Sequence, residues 1–472
     1  MSLKQRALLA IALTVGFYAL ALGLMAGMIW VLFQPHVPGR LFAFCIIGAA
    51  VIAVSVIPWP HRFIPPGPLL NPAGQPRLFA ELQGVARAVG EPMPAEVYIA
   101  PEMNAGVLQR GRRRVMVLGL PLMQVLTVNE MRAVLAHEFG HYHGGDTRLG
   151  PWIYRTGGAI ERIVNNASQQ SAFLHLPFLW YGRMFLRITQ AVSRQQELTA
   201  DALAARTFGA ASMIEGLRAL AVGSVAWRAY WRNEVVPLLD SGFQPPITEG
   251  FQRFLSEPQI RQDVEKAAHE LLAQARSDPY DSHPPDNERI AALTAMPSGP
   301  SDAGGPPAAS LVDGVEAIEP VLLIGLLRPG IQMRRITWQD AGALAMLPGW
   351  RDRVRRQTLM LRNHTVGWLP ELVKYADRLG ASEGGAAARQ LSPDQVRSLG
   401  VGLAGAAFAT ALADHGWSAE SLPGRSVVMR RGEVTVEPFS EVDRMARGEV
   451  DATTWQERCA QLGIRDLPLV TA

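Results

Sequence analysis

The sequence predicts a mainly α-helical chain with a small β-sheet, an α+β fold that opens with two membrane-spanning helices. Two apolar runs without charge lie near its N-terminal end. Helical patterns, with apolar residues three and four positions apart, then dominate as far as residue 295, with short β-prone runs between them. A stretch rich in Pro, Gly and Ser, residues 296–310, predicts a flexible linker before a C-terminal α+β accessory module, residues 311–472.

The composition limits the class of protein. With 472 residues and a mean hydropathy of +0.08, the chain is too long for one ordinary domain and slightly too apolar to be wholly soluble. Its formal net charge of +3 is small and its arginines are scattered, so we expect no nucleic-acid partner. The two cysteines provide no framework of disulfide bonds.

The apolar runs make residues 1–62 a transmembrane helical hairpin. Residues 7–33 are long enough to cross a bilayer, and a second run over 41–57 follows at once, which argues against a cleavable signal peptide. Basic residues precede the first run and follow the second, whereas the connection holds only Arg40. The positive-inside rule then places both ends on the cytoplasmic side of a bacterial-type inner membrane.

Beyond the hairpin, the Pro-rich residues 63–76 predict an extended connection. A helix is predicted over 77–90 and a strand over 95–100, followed by a second β-prone run over 112–120. These elements begin a domain that we expect to cover residues 63–295.

The stretch AVLAHEFGHYHGGD, residues 133–146, contains the pattern H-E-x-x-H. His137 and His141 lie four residues apart on a predicted helix, so both rings can face one metal ion. Glu138 points about 100° around the helix, toward a water that zinc would polarise, and can act as general base. Asn129 is the expected N-cap, and two glycines predict the end of the helix. For the motif taken alone, the alternative interpretation is a charged helix face that binds no metal.

Zinc catalysis needs a third protein ligand and one position open to water. One class of peptidase supplies a third histidine six residues after the second, but that position here is Thr147. A later helical pattern, residues 193–205, offers Glu197 as a ligand and Asp201, four residues on, as a partner for the free ring N–H of a ligating histidine. A solvated acidic face is the alternative for this pair.

Together these motifs resemble the HtpX-like membrane-bound zinc metallopeptidases, which are gluzincins related to the CAAX prenyl endoprotease. The resemblance rests on AVLAHEFGHYHGGD, SRQQELTAD and SHPPDNERIAAL, and covers roughly residues 65–295. It implies a gluzincin-type peptidase domain with one Zn²⁺ per chain. By position, the implied zinc ligands are His137, His141 and Glu197, with Glu138 as catalytic base and Asp201 as an orienting residue.

SHPPDNERIAAL, residues 282–293, leaves two interpretations open. His283 and Arg289 can reach the active site and stabilise the oxyanion formed when a scissile carbonyl is attacked. Alternatively, the two prolines start a helix, His283 lies beside its cap, and Arg289 forms a structural ion pair.

Two further segments carry alternatives. In gluzincins a strand beside the active-site helix pairs with the extended substrate, and residues 112–120 are either that strand or an internal one. Residues 173–192 are apolar but contain Arg183 and Arg187, whose burial in a bilayer is costly. We expect an amphipathic helix that is buried in the domain, rather than one on the membrane surface, and that leads directly to Glu197.

We therefore expect a membrane-anchored zinc endopeptidase that hydrolyses peptide bonds through a zinc-activated water. The resemblance implies a role in protein quality control. The expected partners are protein or peptide substrates and the lipid bilayer, and assembly into a homo-oligomer is left open. The competing hypothesis is a non-catalytic or latent membrane-bound zinc protein that acts as an adaptor through residues 311–472. In that module, residues 426–439 predict two strands around a Gly turn.

Overall fold

Helices dominate the fold. The computed structural model describes residues 3–57, 63–111, 113–143, 155–166, 175–297, 304–326 and 333–470. These form two compact units: unit 1 comprises residues 1–224 and 266–325, and unit 2 comprises residues 225–265 and 326–472. The described residues form small sheets of four, two and three strands. The predicted mainly α fold with a small sheet is therefore confirmed.

The elements follow one another in this order. The first part of the chain forms α1 (Leu3–Leu32), α2 (Gly39–Val56), β1 (Leu69–Leu70), α3 (Pro76–Val89), β2 (Glu96–Ala100), β3 (Ala105–Arg110), β4 (Arg113–Gly119), α4 (Leu120–Val125), α5 (Val128–His143), α6 (155–166), α7 (Leu176–Phe208) and α8 (Ala210–Tyr230). Next come a π-helical turn (Trp231–Val235), α9 (Val236–Asp240), β5 (Phe243–Gln244), α10 (Ile247–Ser256), α11 (Pro258–Gln274), α12 (Asp286–Thr294), a 3₁₀ turn (Ala308–Leu311) and α13 (Val315–Leu326). The last part forms β6 (Arg334–Arg335), α14 (Trp338–Ala341), a second π turn (Gly342–Met346), α15 (Leu347–Arg356), α16 (Thr358–Leu361), a 3₁₀ turn (Val366–Trp368), α17 (Leu369–Lys374), α18 (Ala376–Gly384), a 3₁₀ turn (Gly385–Gln390), α19 (Pro393–Asp414), β7 (Ser418–Glu420), β8 (Val428–Arg431), β9 (Val434–Val436), α20 (Pro438–Ala446) and α21 (Ala452–Leu462).

Two N-terminal helices are long and apolar enough to cross a membrane. Leu8–Leu32 within α1 and Gly39–Val56, which is α2, have mean hydropathies of 2.3 and 2.2, and the two helices pack on each other. Among the described residues, α19 also has the length and composition of a span, but it is the central buried helix of unit 2. The chain is therefore a membrane protein with the N-terminal pair of helices that the two apolar runs predicted.

The predicted helix over 173–192 packs on the membrane hairpin, not inside the peptidase domain as we expected. The rings of Phe17 in α1 and Phe178 in α7 meet edge to face, with centroids 6.3 Å apart. The Tyr181 hydroxyl donates a 2.5 Å hydrogen bond to the Leu13 carbonyl, and residues of α6 join the same buried cluster. The N-terminal half of α7 is thus fixed to α1.

The amphipathic pattern of α7 explains this packing. Its buried positions recur every three or four residues from Phe178 to Val192 and form one apolar stripe. Arg183 and Arg187 fall between these positions and are exposed. The helix therefore covers the hairpin with apolar side chains while both guanidinium groups stay outside the cluster.

A four-stranded sheet in the order β1-β2-β4-β3 lies beside α5 in unit 1. β2 pairs with β4 in parallel, with Val97 opposite Met116, and β3 pairs with β4 antiparallel, with Val107 opposite the same Met116. β4, which covers most of the predicted run 112–120, is therefore an internal strand, and the interpretation of that run as a substrate-pairing strand is wrong. The edge strand beside α5 is β3.

The start of α5 is fixed by a capping box that we did not predict. The Thr127 hydroxyl accepts a 3.4 Å hydrogen bond from Glu130 N, and Glu130 Oε2 accepts a 2.8 Å bond from Thr127 N. Asn129, the expected N-cap, lies in the first turn, where its side-chain oxygen accepts a bond from Arg132. The pattern T-x-x-E is the sequence signal for this start. The glycines expected to end α5 lie outside the described residues.

The second half of the predicted linker is bonded to unit 1. Ala308 N donates a 2.8 Å hydrogen bond to Leu126 O at the end of α4. Further along, Gln75 Nε2 donates to Asp313 O, and Asp313 N donates back to Gln75 Oε1, at 2.7 and 2.8 Å. These contacts hold the chain on unit 1 up to α13, whereas residues 298–303 lie outside the described part.

Unit 2 has its own core around α19. Phe408 of this helix meets Trp455 of α21 edge to face at 5.5 Å, and the Trp455 indole donates a 2.8 Å hydrogen bond to Val366 O. The predicted strand pair is present: β8 and β9 turn around Gly432, whose φ of 61° suits a glycine. The unit also includes residues 225–265, which our sequence boundaries place in the peptidase domain.

Candidate metal centre

Three side chains of unit 1 direct ligand atoms toward one position. His137 and His141 project from α5, and Glu197 projects from α7. The two histidine Nε2 atoms are 3.2 Å apart. His137 Nε2 lies 3.4 Å from Glu197 Oε2, and His141 Nε2 lies 3.5 Å from Glu197 Oε1. The helical spacing of the motif and the packing of α5 on α7 together produce this arrangement.

The arrangement fits a zinc ion. Bonds of about 2.0–2.1 Å in a tetrahedron put ligand atoms about 3.3 Å apart, close to the separation of the two histidine Nε2 atoms. Each histidine also lies near one of the two Glu197 oxygens, and one ligand atom from each residue lies within 4.8 Å of the others. Two imidazoles and one carboxylate are a ligand set that zinc peptidases use, and three protein ligands leave a fourth position for water. Glu197 Oε2 is buried without a hydrogen-bond partner among the described residues, as expected for an atom whose partner is a metal ion.

Gly140 allows α5 and α7 to approach closely at this site. A methyl group on Gly140 would lie 3.0 Å from the Cβ and 3.1 Å from the Cα of Ala200, three residues after Glu197 on α7. Both distances are shorter than an ordinary carbon–carbon contact. The distance between the histidine pair and the carboxylate ligand therefore depends on the missing side chain in the middle of the motif.

Behind the ligands, Asp201 and Arg289 form a buried ion pair. Arg289 Nε and Nη2 donate to Asp201 Oδ2 and Oδ1 at 2.8 and 2.7 Å, in the bidentate geometry typical of strong pairs. Asp201 Oδ1 also lies 2.8 Å from His137 Nδ1, the ring nitrogen that does not face Glu197. The geometry favours the ion-pair interpretation of Arg289 over direct contact with an oxyanion.

His283 lies at the open side of the site. Its Nδ1 is 3.1 Å from Glu197 Oε1, and its side chain is 63% exposed. The carboxylate raises the pKa of this histidine, which burial only partly opposes. His283 therefore contacts the candidate metal ligand Glu197 on one side and is accessible from solvent on the other.

Arg194 is a site residue that our sequence analysis missed. It lies on α7, one turn before Glu197, and its Nη1 donates to three backbone carbonyls, those of Asp278, Pro279 and Asp281, at 3.2, 3.2 and 2.8 Å. This side chain fixes the loop that carries His283 to the helix that carries Glu197. The only sequence signal was its place in the S-R-Q-Q-E stretch, which does not indicate a distant loop.

The ionisable groups of the site shift one another's pKa values. Burial would lower the pKa of His137, but the carboxylates of Asp201 and Glu197 raise it to about 9. Burial would raise the pKa of Glu197, yet the imidazoles of His137 and His283 hold it well below its usual range. Glu138 is buried beside the two histidines, and burial raises its pKa. Because zinc binds neutral imidazole, the His137 proton has to leave when metal enters.

Comparisons with known proteins agree with this geometry. Residues 72–297 match Peptidase family M48. The chain is similar to Protease HtpX of Idiomarina loihiensis, with 32% identity over 164 residues that cover 31% of this chain and 57% of that protein. It is also similar to Protease HtpX homologs of Sulfurovum sp. (29% identity, 28% of this chain, 52% of the relative) and Pseudarthrobacter chlorophenolicus (24% identity, 49% and 76%). The chain spans about half the length of most curated relatives it matches. No solved structure matches it.

These matches confirm the resemblance to HtpX-like M48 metallopeptidases that the three motifs indicated. All the candidate site residues lie inside the matched segment, whereas residues 298–472 lie outside it. The sequence similarity and the metal-binding geometry therefore concern the same part of the chain.

Proposed function

We propose that this protein is a membrane-anchored zinc endopeptidase in which His137, His141 and Glu197 hold one zinc ion per chain. The observation that carries the proposal is the convergence of the two histidine Nε2 atoms and the Glu197 carboxylate, with one ligand atom from each residue within 4.8 Å of the others. Zinc, when bound, supplies a Lewis acid for attack by water on a peptide carbonyl. Glu138, one residue after the first ligand, takes the proton of the attacking water and returns it to the leaving amine.

Two further residues position the ligands. Arg289 neutralises the buried carboxylate of Asp201 through two hydrogen bonds. Asp201 in turn holds the His137 ring so that Nε2 faces the zinc position, as carboxylates beside zinc-bound histidines commonly do. We assign both as positioning residues. We assign the oxyanion role to His283, because its ring is exposed beside Glu197 and can donate to a substrate oxygen.

An extended substrate would bind along β3. Its one strand partner among the described residues is β4, so the backbone groups on its other edge can pair with a peptide. β3 also packs against α5, which carries both histidine ligands. A peptide added to this edge would run beside the zinc position with its side chains alternating toward and away from the domain.

The decisive experiment compares zinc content and cleavage of an unfolded protein such as casein in detergent. We expect Glu138→Gln to bind zinc like the wild type but to cleave about 10²–10⁴-fold more slowly, because it lacks the general base. Glu215→Gln is the matched control, since Glu215 is an exposed acid of unit 1 paired with Arg218, outside the metal site. It should retain both zinc and activity.

The same experiment distinguishes the competing hypothesis, a non-catalytic or latent zinc protein that acts as an adaptor. That hypothesis requires zinc in all three proteins and no cleavage difference between them. We favour the peptidase because a purely structural zinc site would not need Glu138 or an open fourth position. The flanking basic residues support a cytoplasmic peptidase domain, and the resemblance supports misfolded or membrane proteins as substrates in quality control.

A further inference from the structure

We propose that unit 1 carries a second membrane contact, a seating surface that binds the anionic face of the bilayer. It consists of residues 63–70, which follow the second membrane helix, and residues 110, 111, 113 and 114 at the tip of the β3–β4 hairpin. Its occupant is a lipid surface containing anionic headgroups. This contact goes beyond the proposed peptidase activity and does not depend on it.

The chain itself keeps this surface near the membrane. Phe63 follows Val56, the last residue of α2, by seven residues, which can span at most roughly 25 Å when fully extended. The Arg110 guanidinium lies over the Phe63 ring, 4.8 Å from its centroid. The hairpin tip is therefore tied to the part of unit 1 that is next to the span.

Apolar side chains are exposed along the same segment. Ile64 is 82% exposed, and Leu69 is also exposed although it pairs with β2. The backbone of Gly67 lies against Leu322 of α13, and the neighbouring Val321 is again exposed. In water, three exposed branched side chains around one short segment have no favourable environment, whereas the headgroup boundary of a bilayer accommodates them.

The hairpin tip supplies the complementary charge. The sequence R-G-R-R-R over residues 110–114 contains four arginines, of which Arg112 lies outside the described residues. Glu96 pairs with Arg110 and Arg113, and Glu91 pairs with Arg114, so three positive charges of the described residues face two negative ones. Arg113 remains 67% exposed despite its ion pair.

An anionic bilayer fits this combination better than a soluble partner does. Basic residues near a span are attracted to anionic lipid, and that attraction decays within a Debye length of about 8–10 Å at physiological salt. The covalent link to α2 keeps the arginines close to the membrane at all times. A segment with apolar side chains beside a net positive cluster binds a bilayer interface in two ways. The apolar groups insert, and the charges attract anionic headgroups.

The test uses the full chain reconstituted in vesicles of phosphatidylcholine, with or without phosphatidylglycerol, and with brominated lipid as a fluorescence quencher. A thiol-reactive fluorophore is placed at Ile64→Cys, and the matched control is Leu359→Cys in unit 2, where Leu359 is 77% exposed. Both native cysteines are buried and react slowly, so the labelled wild type gives the background. Thermal unfolding of each variant verifies its fold.

We expect brominated lipid to quench the label at position 64 but not the label at 359. Phosphatidylglycerol should increase that quenching about twofold, and high salt or Arg113→Gln should reverse the increase. Arg355→Gln, which removes an arginine that is 75% exposed in unit 2, should leave the quenching unchanged.

Three outcomes would overturn the proposal. Equal quenching at both positions would show that residue 64 has no special contact with lipid. Quenching that does not change with phosphatidylglycerol would show that the arginines do not contribute to the contact. Excimer emission between pyrene labels at position 64, without quenching by lipid, would mean that a second copy of the chain covers the surface instead.

Discussion

Replacing Gly140 by alanine tests how tightly the metal site depends on helix packing. The added methyl would lie 3.0 Å from Ala200 Cβ, whereas carbon atoms in contact prefer about 3.5–4.0 Å. Relief of this clash requires Ala200, and with it α7, to give way by a few tenths of an ångström. A functional site tolerates a displacement of about 0.5 Å, so this shift uses up most of the tolerance with which the histidines and Glu197 can hold one zinc ion.

Two contributions to the free energy of unfolding oppose each other in Gly140→Ala. Alanine gains about 1 kcal/mol over glycine in a helix interior, while overpacking a core costs about 1–3 kcal/mol. We expect Gly140→Ala to lose up to about 2 kcal/mol of stability and to bind zinc at least about tenfold more weakly, at the lower end of what misplaced supporting groups cost. Chelator competition in detergent measures the zinc affinity, and thermal unfolding measures the stability.

Gly84→Ala is the matched control. Gly84 lies in the middle of α3, and apart from its chain neighbours and the backbone of its own helix no atom lies within 4 Å of the position where its Cβ would be. This variant should bind zinc normally and unfold at the same or a higher temperature, because only the helix propensity changes. If Gly140→Ala behaves in the same way, α5 and α7 tolerate the methyl without moving, and our account of Gly140 is wrong.

Single contacts elsewhere predict further effects. Arg289→Met leaves a buried carboxylate without its partner and should weaken zinc binding about 10–100-fold in the same competition assay, with partial recovery in Arg289→Lys. Arg194→Ala frees the loop that carries His283 and should lower kcat/KM about tenfold while zinc content, measured by metal analysis, stays unchanged. Thr127→Ala removes the capping box of α5 and should cost about 1 kcal/mol, seen as a lower thermal midpoint. Burial raises the pKa of Glu234 in unit 2, so its contribution to stability is present below the ordinary value of 4.5 and is lost as the pH rises through the folded value. Glu234→Gln should therefore raise the calorimetric midpoint at neutral pH and change it little at about pH 4.

Local sequence patterns predicted the parts of the site that lie within one helix. The separation of His137 and His141 by four residues fixes both rings on one face of α5 whatever surrounds it. Glu197 and Asp201 follow the same rule on α7, and the chemistry of zinc then pairs the two helices. The membrane hairpin was equally predictable, because the length and lack of charge of an apolar run decide it.

Long-range packing was not predictable in the same way. Whether β3 or β4 forms the sheet edge depends on which strands pair, and both strands have the same β-prone composition. The contacts of Arg194 with a loop more than eighty residues away leave no periodic signal. Our domain bounds followed the motif resemblance over residues 65–295, and the family match over 72–297 also includes residues 225–265. The compact units group those residues with 326–472 through contacts that no sequence motif indicates.

The course of α7 connects these two kinds of information. Tyr181, near its start, bonds to α1 of the membrane hairpin, and Glu197 lies sixteen residues further along the same uninterrupted helix. At about 1.5 Å per residue, Glu197 is therefore held roughly 24 Å along the helix axis from that contact. A rigid helix transmits a tilt at one end to the other, so the packing of α7 on the hairpin also determines where Glu197 meets the two histidines. The same helix must therefore present its apolar stripe to the hairpin and its acidic pair to α5. For this reason the N-terminal half of a stretch that we expected to be buried in the domain lies on the hairpin.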